Sequence, residues 1–452
     1  MWWLRAFLVL FHFGFGVKVQ FIGSISLSEF FLVGYFVYFV IAHSEYWQLR
    51  EYRVLTWLYA GLLLAQVVAE FMVGNEWRNA LKGIAVTIVS FCHVTFLLQV
   101  FLKDRKLILW MLLGTILAML VLPNNNYDEE EASLAMDERA TFLKFYVAPL
   151  VGNILGVLVL LWKRKITMTY VYMVVGFLFV IFGARSSGIM TLFAGLISWF
   201  LMSGRRINTR MLAGYGVIIA IVGYGLYVVY VNEVLAGNIT RGNSSQLKTL
   251  ENPYNPMALL AQGRGEVFVG WVAFMDKPLW GHGSWAKDPG WKYHKLMNKN
   301  HGNRGFNLAA VGTNVVPTHS VLIGAGTMNG IFAFVFMAAI LIFFLKRGFG
   351  LMYSRDPLLI LIVSHILNII WNSIFSPISH FRQSLPLYFA FLFASWILFE
   401  RRQLRALARA RADARAKSLP QTAGAAEAQG REEIVRSLFG TAGASMAAPK
   451  TQ

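Results

Sequence analysis

The sequence predicts an all-α, polytopic integral membrane protein of about 12 transmembrane helices with one large external loop. Three observations predict it: 57% of the residues are hydrophobic and only 14% charged, apolar runs recur along most of the chain, and lysine and arginine gather in alternate connections. A water-facing globule needs more charge than this. Crossing the hydrocarbon takes roughly 20 apolar residues per helix, and only helices or closed barrels satisfy the backbone there. Runs this long and continuous mean helices.

In chain order the runs fall at 4–22, 26–42, 54–73, 80–101, 107–122, 143–162, 168–183, 188–202, 211–231, 319–345, 357–375 and 383–399. The first has no small-residue cleavage site and passes straight into the second, which makes it a retained helix, not a signal peptide. With both termini cytoplasmic, the inner loops carry Arg50 and Arg53; Lys103, Arg105 and Lys106; Lys163, Arg164 and Lys165; Arg205, Arg206 and Arg210; Lys346, Arg347 and Arg355. The short outer loops hold only Arg78, Arg139, Arg185 and Arg382, the lopsidedness expected of the positive-inside rule. This orientation turns outward both the acidic loop Asn124 to Arg139 and the long loop 232–317.

Four segments follow: helices 1–9 over 1–231, the external loop with short amphipathic helices over 232–317, helices 10–12 over 318–399, and a basic tail over 400–452. In the tail, Arg401, Arg402, Arg405, Arg409, Arg411, Arg415 and Lys417 predict a cytoplasmic helix lying on anionic lipid, followed by disorder. The net charge of +18 does not indicate a nucleic-acid partner, because the excess sits in short loops and in this tail. The single cysteine, Cys92, cannot form an internal disulfide. No internal repeat supports an inverted-repeat transporter.

Three residues converge on the external face. Arg185 sits where two short helices meet at Arg185-Ser186-Ser187-Gly188, on the side that the charge rule leaves poor in arginine; it reads either as a snorkelling anchor or as a functional cation. Arg264 opens a short amphipathic helix that ends near Pro278 and shares its stripe with Phe268, Trp271 and Met275. Such a helix lies on the bilayer surface with its guanidinium toward headgroups, unless the arginine is simply solvated. His319, with Thr318 as N-cap, opens the helix that runs to Leu345. A helix N-terminus favours the neutral imidazole, the form able to accept a proton; the plainer alternative is a histidine hydrogen-bonded at the interface.

His380 and Arg382 form a second external basic patch that either helps bind an anion or anchors the last helix. His282, His294 and His301 lack zinc spacing, and the Asp128 to Glu131 run reads as a solvated loop rather than a cation site, so no metal or other cofactor is expected. Gly326 and Gly330 make a GxxxG step, a close helix contact. Glu70, His93 and His365 are polar residues within apolar runs, without an assigned role.

At these residues the sequence resembles the O-antigen ligase and O-antigen polymerase superfamily of bacterial membrane glycosyltransferases. The correspondence covers mainly residues 168–345: paired short helices joined at an arginine, one large loop with a second arginine, a Gly-rich PLWGHGSW stretch, and PTHSVLIGAGTMNGI opening the next helix. The resemblance implies an inner-membrane enzyme with its site facing the periplasm. There it moves glycan from undecaprenyl diphosphate to a sugar hydroxyl, the acceptor being a glycan or lipid A-core, without a metal. It implies that Arg185 and Arg264 hold the diphosphate and that His319 acts on the acceptor hydroxyl, with His380, Arg382 and His282 as secondary candidates. Family members often carry His-Asn where this chain has His319-Ser320, and often an acidic or aromatic residue before the glycine corresponding to Gly330, departures that bear on the acceptor. A diphosphate leaving group gathers charge as the glycosidic bond breaks, and arginine pairs with phosphate bidentately without deprotonating. A polysaccharide or lipid transporter, using the arginines as an anion path, is the competing class; a structural subunit without chemistry is the third.

Overall fold

In the computed structural model, residues 2–20, 24–122, 142–182, 184–203, scattered parts of 217–258, 264–300, 314–354 and 356–418 are described, and 83% of them are helical. The acidic loop Asn124 to Arg139, His301 and most of the expected run 211–231 lie outside the described residues. The chain divides into two units, Met1–Ile397 and Leu398–Gln452. The second unit is helical as far as Ser418, with Leu404 and Leu407 exposed among its arginines.

Seven helical stretches are long and apolar enough to cross a membrane: Arg50–Val73, Trp77–Lys103, Leu143–Leu161, Lys165–Phe182, Arg185–Met202, Val321–Met352 and Ile378–Ala414. Three shorter apolar ones are Trp2–Gly16, Leu27–Ala42 and Leu359–Phe375. The helices are labelled α1 (Trp2–Phe13), α2 (Leu27–Ala42), α3 (Arg50–Val73), α4 (Trp77–Lys103), α5 (Ile108–Val121), α6 (Ala148–Leu161), α7 (Lys165–Phe182), α8 (Arg185–Met202), α9 (Gly265–Asp276), α10 (Lys292–Asn300), α11 (Val321–Met352), α12 (Leu359–Phe375) and α13 (Leu385–Ser418).

With lipid outside and protein inside equally apolar, close backbone approach and interhelical hydrogen bonds hold such helices together. Both devices occur. Between α3 and α4, Tyr52 meets Thr95 (3.1 Å), Tyr59 meets Ser90 (3.0 Å) and Thr87 donates to Gln66 (2.8 Å), one rung for each two turns. Between α7 and α8, a Cβ on Gly188 would lie 2.7 Å from the Gly176 carbonyl oxygen, and one on Gly195 as close to that of Thr169. Only glycine permits this approach.

The expected first run is cut short. After α1 the chain makes a tight turn over Gly14–Gly16 and a small antiparallel hairpin, β1 (Lys18–Gln20) with β2 (Ser24–Ser26), in which Lys18 faces Ser26. The Gly14 turn packs against Ser28, and a capping box starts α2: Ser26 Oγ accepts from Glu29 N–H (3.3 Å) while Glu29 accepts from Ser26 N–H (2.7 Å).

α11 is the second departure from a plain helix. Asn329 (φ −129°, ψ 16°) and Gly330 (φ 77°, ψ −170°) leave helical conformation, the latter in a region that only glycine occupies readily. Gly348 packs on Ile366 of α12, and Ser320 Oγ donates to the Ser373 carbonyl (2.8 Å). Those two α12 positions lie about 10 Å apart along the axis, whereas a straight helix from Ser320 to Gly348 would span about 42 Å. The break reconciles them by folding residues 321–328 back along the rest of α11. Its opened carbonyls are met by the glycine-rich loop: His282 N–H donates to Thr327 (2.9 Å) and Gly283 N–H to Met328 (2.8 Å), while Ile331 N–H donates to Pro278 (2.8 Å). The GxxxG step is therefore a close approach, but to loop and α9: Gly326 packs on the Phe274 ring, and a Cβ on Gly330 would collide with the Leu279 carbonyl.

Phe344 stacks on Phe389 (4.1 Å), which sets the start of α13 roughly 15 Å below Gly330 along α11. The turn from Ser376 to Ser384 is accordingly sunk inside the bundle. There Phe381 stacks on Tyr59 (5.7 Å), well down α3, and the Arg382 carbonyl meets His93 Nδ1 (3.3 Å), well down α4. At the opposite end Arg105 pairs with Asp356 (2.7 Å), both buried.

Candidate functional site

His319 ahead of α11, Arg264 at the start of α9, the sunken turn, the β-hairpin, one side of α12 and the ends of α5, α6 and α8 surround one cavity of about 560 Å³. Of the residues expected to act, Arg264, His319, His380 and Arg382 are on its wall; Arg185 and His282 are not.

His319 arrives there by the fold-back. The helix it precedes is capped by Ser320, not Thr318: Ser320 Oγ accepts from Ile323 N–H (3.1 Å) and also donates to α12. His319 thus lies one residue before the cap, beside the end of α12 rather than at the top of a straight helix. Arg264 also differs from expectation. It is the N-cap of α9, and its guanidinium sits 5.2 Å over both Trp371 and Phe375 and reaches the Phe375 carbonyl (3.5 Å). Phe268, Trp271 and Met275 remain exposed, as a bilayer-facing stripe would be, but the arginine leaves that stripe and turns inward because its own backbone (φ −135°, ψ 39°) is not helical.

Arg382 is gripped on two sides, by Glu29 (3.1 Å) and by the Ser24 carbonyl (2.8 Å), tying the sunken turn to the hairpin. His380 Nδ1 meets Ser384 Oγ (3.0 Å). Arg185 opens α8, donates to Tyr230 Oη (3.1 Å) and lies 5.4 Å over that ring; its neighbours Ser186 and Ser187 are the wall residues. His282 belongs to the loop between α9 and α10, where Nε2 meets the Ala273 carbonyl (2.8 Å) and the Tyr293 hydroxyl (3.3 Å). Burial pushes its imidazole below the ordinary histidine range. His294 is held by buried Asp288 (2.8 Å), which also accepts from the first amides of α10. No group of three metal-ligating side chains occurs among the described residues.

Three charged wall residues escaped the reading of the sequence: Lys18, Lys144 and Glu29. Each falls inside an apolar run, and a charged side chain in such a run is itself the available signal. Among the described residues the wall carries four cations, Lys18, Lys144, Arg264 and Arg382, against one carboxylate, Glu29, already paired with Arg382. A depression of that composition attracts anions, more strongly for being walled by apolar helices. Compared with known proteins, the chain matches no family model and no curated protein, so the geometry of this cavity carries the reading of the site.

Proposed function

We propose that the protein is a polyprenyl-diphosphate-dependent glycosyltransferase of the O-antigen ligase or polymerase type. In this reading it is a bacterial inner-membrane protein of about 12 spans, with cytoplasmic termini and the cavity open to the periplasm. The observation that carries the reading is the presence of Arg264, Lys18 and Lys144 around a cavity that also bears His319. Arg264 and the lysines receive the diphosphate; its departure from the anomeric carbon spreads charge onto oxygens already facing cations. His319 takes the proton of the acceptor hydroxyl as that oxygen bonds to the anomeric carbon. Arg382, neutralised by Glu29, ties the sunken turn to the hairpin within the charged ring, and Arg185, held by Tyr230, contributes from beside the wall.

The transporter reading draws on the depth of the same cavity. It requires a passage to the opposite end, and there Leu112, Leu155 and Leu361, all buried, border the cavity.

The test is to express Arg264→Ala and His319→Ala in a deletion strain and resolve the surface glycan by gel. A positioned base contributes roughly 100- to 10,000-fold, so His319→Ala is expected to lose nearly all product while retaining the lipid-linked donor, whereas Arg264→Ala weakens both. Loss of all long chains with one repeat kept on core marks a polymerase; loss of every repeat, with lipid-linked chains accumulating, marks a ligase. An unchanged glycan in both variants would refute the proposal, and transfer in vitro abolished by a chelator would count against its metal-free form.

A further inference from the structure

We propose that the lower part of the cavity, beneath the ring of charged side chains, is a subsite for an uncharged, hydroxyl-rich group. The ligand is a sugar, and the inference deepens the transfer reading by assigning this place to the acceptor.

Ser364, His365, Asn368 and Asn372 recur at helical spacing on the face of α12 that borders the cavity, opposite Thr115 of α5 and Asn153 of α6. These side chains are all neutral, whereas the charged wall residues belong to the hairpin, the sunken turn and helix ends. An anion selects the upper ring; a neutral polar group is what the lower wall fits.

Three wall histidines sharpen this. His12, His93 and His365 are 6%, 1% and 6% exposed. Among the described residues, His93 Nε2 and both nitrogens of His365 have no hydrogen-bond partner, and His12 has only the Leu8 carbonyl one turn back on its own helix. Buried polar groups are otherwise nearly always satisfied; these rings line the cavity while their unmet nitrogens are covered, so a turn of the ring about its broad terminal torsion is what brings a nitrogen to a ligand's polar atom. Imidazole and carboxamide each supply a donor and an acceptor, as do the adjacent hydroxyls of a pyranose. Phe15, stacked on His93 (4.9 Å), and Tyr388, stacked on His365 (4.8 Å), add flat apolar faces for the C–H side of such a ring.

Buried histidines also form proton relays. A relay must continue to the far side, and here the lower end closes on leucine: a Cβ on Gly156 would lie 2.8 Å from Leu112 and 3.9 Å from Leu361. A blind polar end is a place to hold a ligand.

The experiment uses the full chain in lipid nanodiscs and saturation-transfer NMR with methyl α-D-mannoside, methyl β-D-galactoside and maltose as probes at millimolar concentration. At least one probe is expected to bind, to stay bound when inorganic pyrophosphate is added, and to weaken about tenfold in Asn368→Leu and in His365→Phe, the loss expected for one or two hydrogen bonds. Thermal unfolding of each variant establishes that it is folded. Absence of binding by all three probes, or equal binding by wild type and both folded variants, overturns the subsite. Proton flux into liposomes that His365→Phe abolishes overturns it in favour of a relay. Sugar binding that behaves as expected while donor-dependent transfer is absent removes the transfer reading and leaves the subsite standing.

Discussion

Around Glu70 and along the lower cavity wall the bundle buries polar side chains to the same extent, yet the two regions treat them oppositely. Glu70, Asn329 and Ser284 are 6%, 1% and 0% exposed, matching His12, His93 and His365. Both Glu70 oxygens are occupied: Oε1 accepts from Ser284 N–H and Asn329 Nδ2 (2.9 Å each), and Oε2 from Asn75 Nδ2 (2.6 Å). This carboxylate joins the end of α3, the glycine-rich loop and the break in α11. Asn329 Oδ1 and Ser284 Oγ lack partners there, but the gap beside them is too small for a water molecule. The histidine rings line open space, with their unmet nitrogens covered and a ring turn away from it. Burial of a polar group therefore does not by itself mark a site; unmet polarity next to room for a ligand does.

Replacing one member of each region breaks or sharpens that contrast. Glu70→Leu strands the Ser284 and Asn329 donors, and a buried donor without a partner costs about 1–3 kcal/mol, so the two together are expected to destabilise by about 2–6 kcal/mol. His365→Phe strands nothing, because its nitrogens bond to nothing among the described residues, and it is expected to leave stability equal or higher. Thermal unfolding in nanodiscs reads both; a large loss in His365→Phe, or none in Glu70→Leu, would erase the distinction. Gly330→Ala comes next. Its backbone conformation costs a non-glycine residue about 1–3 kcal/mol, and the added carbon meets the Leu279 carbonyl. The expected outcome is a lower unfolding temperature together with a His319 that no longer reaches the end of α12, reported by faster modification of that imidazole by diethyl pyrocarbonate. Unchanged stability and modification would show that the fold-back does not depend on this glycine.

These contrasts also explain what was legible in the sequence. Hydropathy located α2 to α8, α12 and the apolar part of α11 within a few residues, because the period and length of an apolar run follow from the bilayer itself. It missed the hairpin and the fold-back, since Gly14, Gly16 and Gly330 interrupt a run without lowering its hydropathy much. Arg264 and His319 stood out as cation and base at helix starts. Their place on the wall of one cavity did not, because it depends on the long-range contact of Ser320 with Ser373 and on the aromatic seat of Trp371 and Phe375. His12, His93 and His365 were visible as letters, but whether each is satisfied is a property of packing that no local pattern encodes.

The smallest expected effect lies outside the helices long enough to span a membrane, in the clamp that ties α9 to α10. His282 is held below the ordinary histidine range, first by burial and against the pull of the Ala273 carbonyl and Asp276. Asp276 is held below the ordinary carboxylate range by hydrogen bonds from Lys292 (2.5 Å) and Tyr293 (2.8 Å). A histidine with a depressed folded value contributes stability that is fully present above its unfolded value of about 6.5 and is lost as pH falls through the folded one. The carboxylate begins to lose its contribution only below about 3.9. Between roughly pH 6.5 and pH 5 the histidine alone should therefore loosen the clamp, seen as faster hydrogen exchange of α9 and α10 after correction for the intrinsic rate, while the amides of α3 and α4 stay protected. His282→Gln should flatten that dependence; the same slope in the variant would assign the loosening to another group.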